Sequence, residues 1–147
     1  MRSHEPPRYQ CPFCEIASGA EAEAIVFNDG KAIGAVSLHQ TERNVGAILV
    51  FPTEHFENIY SLPTQSSNHV FAAAQALAVA LKKAFACEGI TLLQNNEPAG
   101  DQDVWHFHVH VVPRFANDRL REYKARAMPL ESRAILARRI REGMETQ

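Results

Sequence analysis

Apolar residues fall in short dense runs between positions 25 and 51 and again near position 110. Between these runs, and at the C-terminal end, they recur every three or four residues. The first run, residues 25–27, is followed by Asn28-Asp29-Gly30 and a second run over 32–36. This pattern predicts a hairpin, because Asp-Gly supplies the positive-φ positions of a tight turn. Residues 45–51 are almost continuously apolar and end at Pro52, as expected for a strand covered on both faces. From residue 61 to 88 the positions Val70, Phe71, Ala74, Leu77, Leu81 and Phe85 carry helical spacing, with Pro63 near the start and Gly89 just past the end. Strands are then expected over 90–94 and 104–112, the latter stopped by Pro113. A closing amphipathic helix is expected over 129–143, with Arg133, Arg138, Arg139 and Arg141 on a solvated outer face. The order of strands, helix, strands and helix predicts an α+β fold: a mostly antiparallel five-stranded sheet with one long helix and a C-terminal helix.

Size and charge narrow the function classes. With 147 residues, 46% of them hydrophobic, the chain holds one domain with a core, expected over 11–147 after a flexible arm at 1–10. A net charge of −2 gives no overall positive field to recruit nucleic acid or an anionic membrane. The most apolar helical stretch, 70–86, is broken by Gln75, Lys82 and Lys83, so no membrane span is expected, and residues 1–10 do not read as a signal peptide. Three cysteines do not make a secreted disulfide framework, and a cytoplasmic location follows. Cys11-Pro12-Phe13-Cys14 leaves four readings open: half a zinc site, a redox pair, a local disulfide, or coincidence. Cys87 reads as a small buried hydrophobe.

The chemistry concentrates in Trp105-His106-Phe107-His108-Val109-His110-Val111-Val112. Alternation on a strand sends His106, His108 and His110 to one face and Phe107, Val109 and Val111 to the other. A half-buried strand explains one or two outward histidines; three at strict alternation make a platform of nucleophiles, bases or metal ligands. The preceding loop, residues 95–103, is rich in amide side chains and exposed backbone N–H groups, neutral donors suited to a phosphoryl oxygen.

The run from His106 to Val112, with an apolar residue after each histidine, resembles the signature of the histidine triad family. Gln102, four residues before the first histidine, resembles the family's leaving-group amide, and Asn95 its loop asparagine. Residues 46–55, ending in Pro52-Thr53-Glu54-His55, resemble the strand that pairs beside the triad. The resemblance implies attack by His108 on the α-phosphorus of a nucleoside monophosphate conjugate, a phosphoramidate or a dinucleoside polyphosphate. It implies that His110 contacts the phosphate oxygens and that Gln102 serves the leaving group, so that Asn95, Gln102, His110 and Ser37 bind substrate. It also implies a structural zinc on Cys11, Cys14, His55 and His106, a small-molecule nucleotide substrate and a homodimer.

Two features depart from the family pattern. Asp101 and Asp103 stand where many members have a small glycine and a serine, beside a site for an anion. Ser37 stands in place of the ribose-binding aspartate; His39 in the following loop could compensate, but reads first as a solvated loop histidine. They motivate an alternative function, a zinc-stabilised nucleotide-binding protein with little catalytic activity. A third reading has the three histidines share a catalytic metal. It requires strained geometry, since the outer two lie roughly 13 Å apart along a strand of ~3.3 Å rise per residue.

Overall fold

In a computed structural model, residues 1–145 are described. Thr146 and Gln147, the last two residues of the expected 11–147 domain, lie outside the described residues. The elements are α1 (Pro12–Ala17), β1 (Ile25–Asn28), β2 (Ala32–Val36), β3 (His39–Gln40), β4 (Ile48–Pro52), α2 (Thr64–Phe85), β5 (Gly89–Gln94), β6 (Val109–Arg114), β7 (Arg126–Ala127) and α3 (Leu130–Glu145).

The main sheet has the order β1-β2-β4-β6-β5, and every pairing in it is antiparallel. Its expected hairpin forms: Gly30 takes φ +83°, and Asp29 Oδ1 accepts from the Lys31 and Ala32 amides. A second, two-stranded sheet pairs β3 with β7. It was not legible in the pattern, because two-residue strands carry no periodicity.

The two sheet faces are covered differently. On one face Val26, Val36, Ile48, Val50, Phe107, Val109 and Val111 pack with Val70, Leu77 and Leu81 of α2 and Ile140 of α3. Gly34 lets α2 approach closely, since a Cβ there would collide with Leu77, and Gly143 lets α3 cross α2 at the Ala80 carbonyl. On the other face Ile33, Ala35 and Phe51 pack under α1 through Cys11 and Phe13.

Three expectations are corrected. The strand expected over 104–112 begins only at Val109, where the ladders from β4 and β5 both start, and it continues through Pro113 to Arg114. Pro113 is tolerated because pairing with β4 has already ended at Val111, so the missing N–H costs little there. The long helix ends at Phe85 with Ala86 in the left-handed conformation, φ 51°, rather than running to residue 88 just before Gly89. Arg133 is not on a solvated face: it is 3% exposed and makes two hydrogen bonds of 3.0 Å to the Glu21 carboxylate. A short helix also starts at the cysteine pair, with Pro12 at its first position and Cys11 as its N-cap, Sγ accepting from the Cys14 amide. Cys87 is buried as expected, and no described helix is long and apolar enough to cross a membrane.

Candidate functional site

Although residues 106–108 precede β6, the inside-outside alternation of the strand extends back through them. Phe107 belongs to the helix-covered core together with Val109 and Val111, which leaves His106, His108 and His110 on the opposite face. The Phe107 amide donates to the Phe56 carbonyl at 2.6 Å, tying this irregular segment to the loop after β4. Within β6, His110 sits opposite Leu49 of β4 and Leu93 of β5.

The three rings divide into two sites. His106 is fully buried, and its Nδ1 lies 3.2 Å from Cys11 Sγ, 3.7 Å from Cys14 Sγ and 3.2 Å from His55 Nδ1. Cys14 Sγ and His55 Nδ1 are 3.4 Å apart, and all four donor atoms fall within 4.8 Å of one another. Zinc bonds of ~2.0–2.3 Å at tetrahedral angles give ligand-to-ligand edges of roughly 3.3–3.8 Å, so the observed spacings fit one ion. The donor chemistry agrees. Burial and the Cys11 sulfur push the Cys14 thiol up to about 11, and a cation among the donors is what makes such thiols ligating thiolates. Two sulfurs and two imidazoles complete a tetrahedron with no open position, a structural site. It joins α1, the loop after β4 and the segment before β6, which sequence separates by up to 95 residues. Among the described residues no cluster unites the three triad histidines around a metal, so the shared catalytic metal is not found.

His108, 2% exposed, turns its nitrogens the other way. Its Nδ1 lies 2.7 Å from the His106 carbonyl oxygen, which can only accept; Nδ1 therefore carries the proton and Nε2 keeps its lone pair. The ring contacts His110 edge-on at 4.9 Å between centroids and Phe13 at 5.0 Å. Burial pulls both histidines below the usual imidazole range, His110 to about 4 with help from His108, against the opposing pull of Asp103. Both rings are therefore neutral at neutral pH.

Asp103 Oδ1 stands 3.8 Å from His108 Nε2, with its side chain 79% exposed. The carboxylate flagged in the sequence thus borders the nitrogen with the free lone pair. Gln102 is buried and its amide is committed: Nε2 donates to the carbonyls of Glu57 at 2.6 Å and Val104 at 2.9 Å, while Oε1 accepts from the Glu97 amide at 2.8 Å. Asn95, one residue past the end of β5, is half-buried, and its Nδ2 is 3.4 Å from the Asp101 carbonyl. Ser37 follows β2 on the triad side, its amide bonded to the Ala47 carbonyl at 2.9 Å. Counting two strand spacings of ~4.8 Å and one two-residue step of ~6.8 Å, it lies roughly 12 Å from His110. His39 is exposed and paired with Ala127 in the small sheet. A cavity of about 410 Å³ lies at that small sheet, lined by residues that include Gln40, Tyr123 and Arg126 and by none of the triad histidines.

Three contributors were not read from sequence. Phe13 stacks on Phe51 at 4.5 Å and presents its edge to His106 and His108, so the residue between the cysteines packs against both sites. The Pro52 carbonyl fixes His106 through Nε2 at 2.9 Å. Glu5, from the N-terminal arm, meets His55 Nε2 at 2.7 Å. The aromatic inside Cys-x-x-Cys was a visible signal for the first; backbone carbonyls and an isolated glutamate in a polar arm give none.

Comparison with known proteins is consistent with this geometry. The family model of the HIT domain matches residues 19–117. A curated relative, protein hit of Bacillus subtilis (strain 168), is 31% identical over 105 residues, 71% of each chain. A zinc-bound histidine triad family protein from Mycobacterium smegmatis superposes with a TM-score of 0.79 at 27% identity, covering 92% of this chain and 93% of that one. A hypothetical histidine triad nucleotide-binding protein from Sulfolobus tokodaii strain7 gives a TM-score of 0.79 at 25% identity, covering 92% of each.

Proposed function

The chain belongs to the histidine triad family, and from that premise we propose that it cleaves nucleoside monophosphate conjugates through a nucleotidyl-histidine intermediate on His108. The observation that carries this reading is the hydrogen bond between His108 Nδ1 and the His106 carbonyl, which leaves Nε2 unprotonated and fixed in direction.

In the first step the Nε2 lone pair attacks the α-phosphorus, the bond from phosphorus to the leaving amine or phosphate breaks, and the departing atom takes up a proton from solvent. In the second, a water oxygen attacks phosphorus, the bond to Nε2 breaks, and the water's proton is released as the nucleoside monophosphate leaves. His110, adjacent and neutral, donates to a phosphoryl oxygen. Gln102 stands on the leaving-group side and reaches the departing atom only by exchanging its bond to the Val104 or Glu57 carbonyl. Asn95 borders the same side, and Ser37 marks the ribose end of the face.

The zinc is structural in this scheme: it supplies a fixed position for the His106 backbone, whose carbonyl orients the nucleophile. The family's pairing between copies has a matching surface here. Phe71 and Val79 on α2 and Leu92 and Leu93 on the open edge strand β5 are all exposed. A homodimer joined through α2 and β5 would cover them, and a cytoplasmic setting keeps the thiols reduced.

A second reading, a zinc-stabilised nucleotide-binding protein with little turnover, is favoured by Asp103 beside Nε2 and by the fully engaged Gln102 amide. A mass spectrum of protein quenched shortly after mixing with an adenosine phosphoramidate separates the two. An adduct on wild type that is missing from His108→Ala supports the enzyme. Tight nucleotide binding with neither adduct nor product, across amine and polyphosphate leaving groups, supports the binding protein.

A further inference from the structure

We infer that the N-terminal arm completes the metal centre from outside, with Glu5 as the positioning residue that holds His55 in its metal-ligating tautomer. The inference rests on the zinc reading of Cys11, Cys14, His55 and His106.

The two histidine ligands are built alike in one respect and differently in another. Each turns Nδ1 toward the donor cluster and Nε2 away from it. For His106 the outward nitrogen meets a backbone carbonyl, Pro52, in a fully buried setting that the sheet itself enforces. For His55 no part of the sheet serves. The residue lies three positions past β4, its side chain is 33% exposed, and among the described residues the partner of its Nε2 is the Glu5 carboxylate at 2.7 Å. A carboxylate accepts and does not donate, so the proton sits on Nε2 and the lone pair on Nδ1 faces Cys14 Sγ and His106 Nδ1.

Glu5 is itself held in place. Glu57, two residues beyond His55, accepts from the Ser3 hydroxyl at 2.7 Å and from the His4 and Glu5 amides at 2.6 and 3.1 Å. Further along, Tyr9 Oη accepts from the Trp105 amide at 3.2 Å, and Trp105 stacks on His4. The arm therefore spans from the loop carrying His55 to the segment carrying His106. One end of a polar, proline-containing sequence is fixed over both histidine ligands, and its single carboxylate at the cluster aligns the more exposed of them.

Zinc affinity of the full chain, measured by competition with a chromophoric chelator, tests this. Glu5→Ala is expected to weaken zinc binding by roughly 10- to 100-fold, as loss of an outer partner to a ligating histidine does. Glu5→Gln, whose amide oxygen still accepts from Nε2–H, should recover part of that loss, and Glu57→Ala should weaken binding by less than Glu5→Ala. Nitrogen-15 histidine spectra of the zinc-loaded protein give the second readout. The His55 Nε2–H signal should exchange rapidly in Glu5→Ala while that of His106, held by Pro52, stays protected. Affinity within twofold of wild type together with an unchanged His55 signal would overturn the assignment of Glu5. Failure of the wild-type chain to bind zinc would instead overturn the metal centre on which it rests.

Discussion

His106 and His108 are two residues apart, share one face of the same segment and are both almost completely buried, yet they belong to different chemistry. In His106 the backbone takes Nε2, through Pro52, and leaves Nδ1 among two sulfurs and a second imidazole. In His108 the backbone takes Nδ1, through the His106 carbonyl, and leaves Nε2 beside Asp103. Which nitrogen a carbonyl occupies decides whether the ring is a ligand or a nucleophile. The two roles are also linked, because the residue whose side chain is a metal ligand is the residue whose carbonyl orients the nucleophile.

The sharpest way to break this comparison is to remove each ring in turn. His108→Ala should lower turnover by at least about 10³-fold, with zinc content and melting temperature near wild type, since the ring carries the covalent step and touches none of the donors. His106→Ala should lose the metal and most of the activity together. Metal analysis and steady-state rates on the same preparations check both; a His108→Ala protein that loses its zinc would show the two sites to be one.

Metal removal comes next in size. A structural ion bound about 1,000-fold above its Kd contributes about 4 kcal/mol, and at ~2–4 °C per kcal/mol for a chain this long the melting temperature should fall by roughly 10 °C in chelator. Cys14→Ser should reproduce the drop and make the protein insensitive to chelator. Calorimetry with and without chelator on both proteins reads this directly.

Much of this was legible in sequence, for a physical reason. Alternation survives where regular pairing does not: residues 103–108 are not strand, but Phe107 still seeks the core that holds Val109 and Val111, so the histidine face was predicted correctly from apolar spacing alone. The hairpin and the long helix followed from Asp-Gly and from three- and four-residue spacing. Contacts made by backbone carbonyls or by isolated charges were invisible. Arg133 looked like one more arginine on a polar face, but it is drawn inside by Glu21, 112 residues away. The strand boundary failed because Pro113 was taken as a stop, when what matters is whether a neighbouring strand requires its N–H. Gln102 was placed by resemblance, and nothing in its spacing revealed that its amide fastens the loop.

pH sharpens the comparison on the reactive side. An ordinary histidine of pKa ~6.5 would be only about 3% neutral at pH 5. His110, held at about 4 by burial first and by His108 second, stays mostly neutral there, and burial likewise holds His108 down. With zinc in excess, the acid limb of kcat/KM should therefore fall below pH 6 rather than near 6.5. The same shift costs stability in acid: as pH falls below ~6.5 the unfolded chain takes up protons first, so His110 opposes folding increasingly until pH approaches its folded value. His110→Asn should remove that part of the acid destabilisation, which urea titrations at pH 7 and pH 5 would show.

The smallest effect concerns Asp103, the carboxylate beside the nucleophilic nitrogen. Asp103 lies 3.8 Å from His108 Nε2 but is 79% exposed, so its repulsion of an incoming phosphoryl group is largely screened. Two unit charges about 4 Å apart interact by about 1 kcal/mol in water, which corresponds to roughly a fivefold change in rate. Asp103→Asn is expected to raise kcat/KM about fivefold for a dinucleoside polyphosphate, whose leaving group is anionic. It should change little, or lower it, for a phosphoramidate whose departing amine carries positive charge. The gain on the anionic substrate should shrink as salt is raised from about 0.01 M to 1 M, because the screening length falls from ~30 Å to ~3 Å. Equal effects on both substrates at every salt concentration would mean that Asp103 acts through the shape of the loop rather than through its charge.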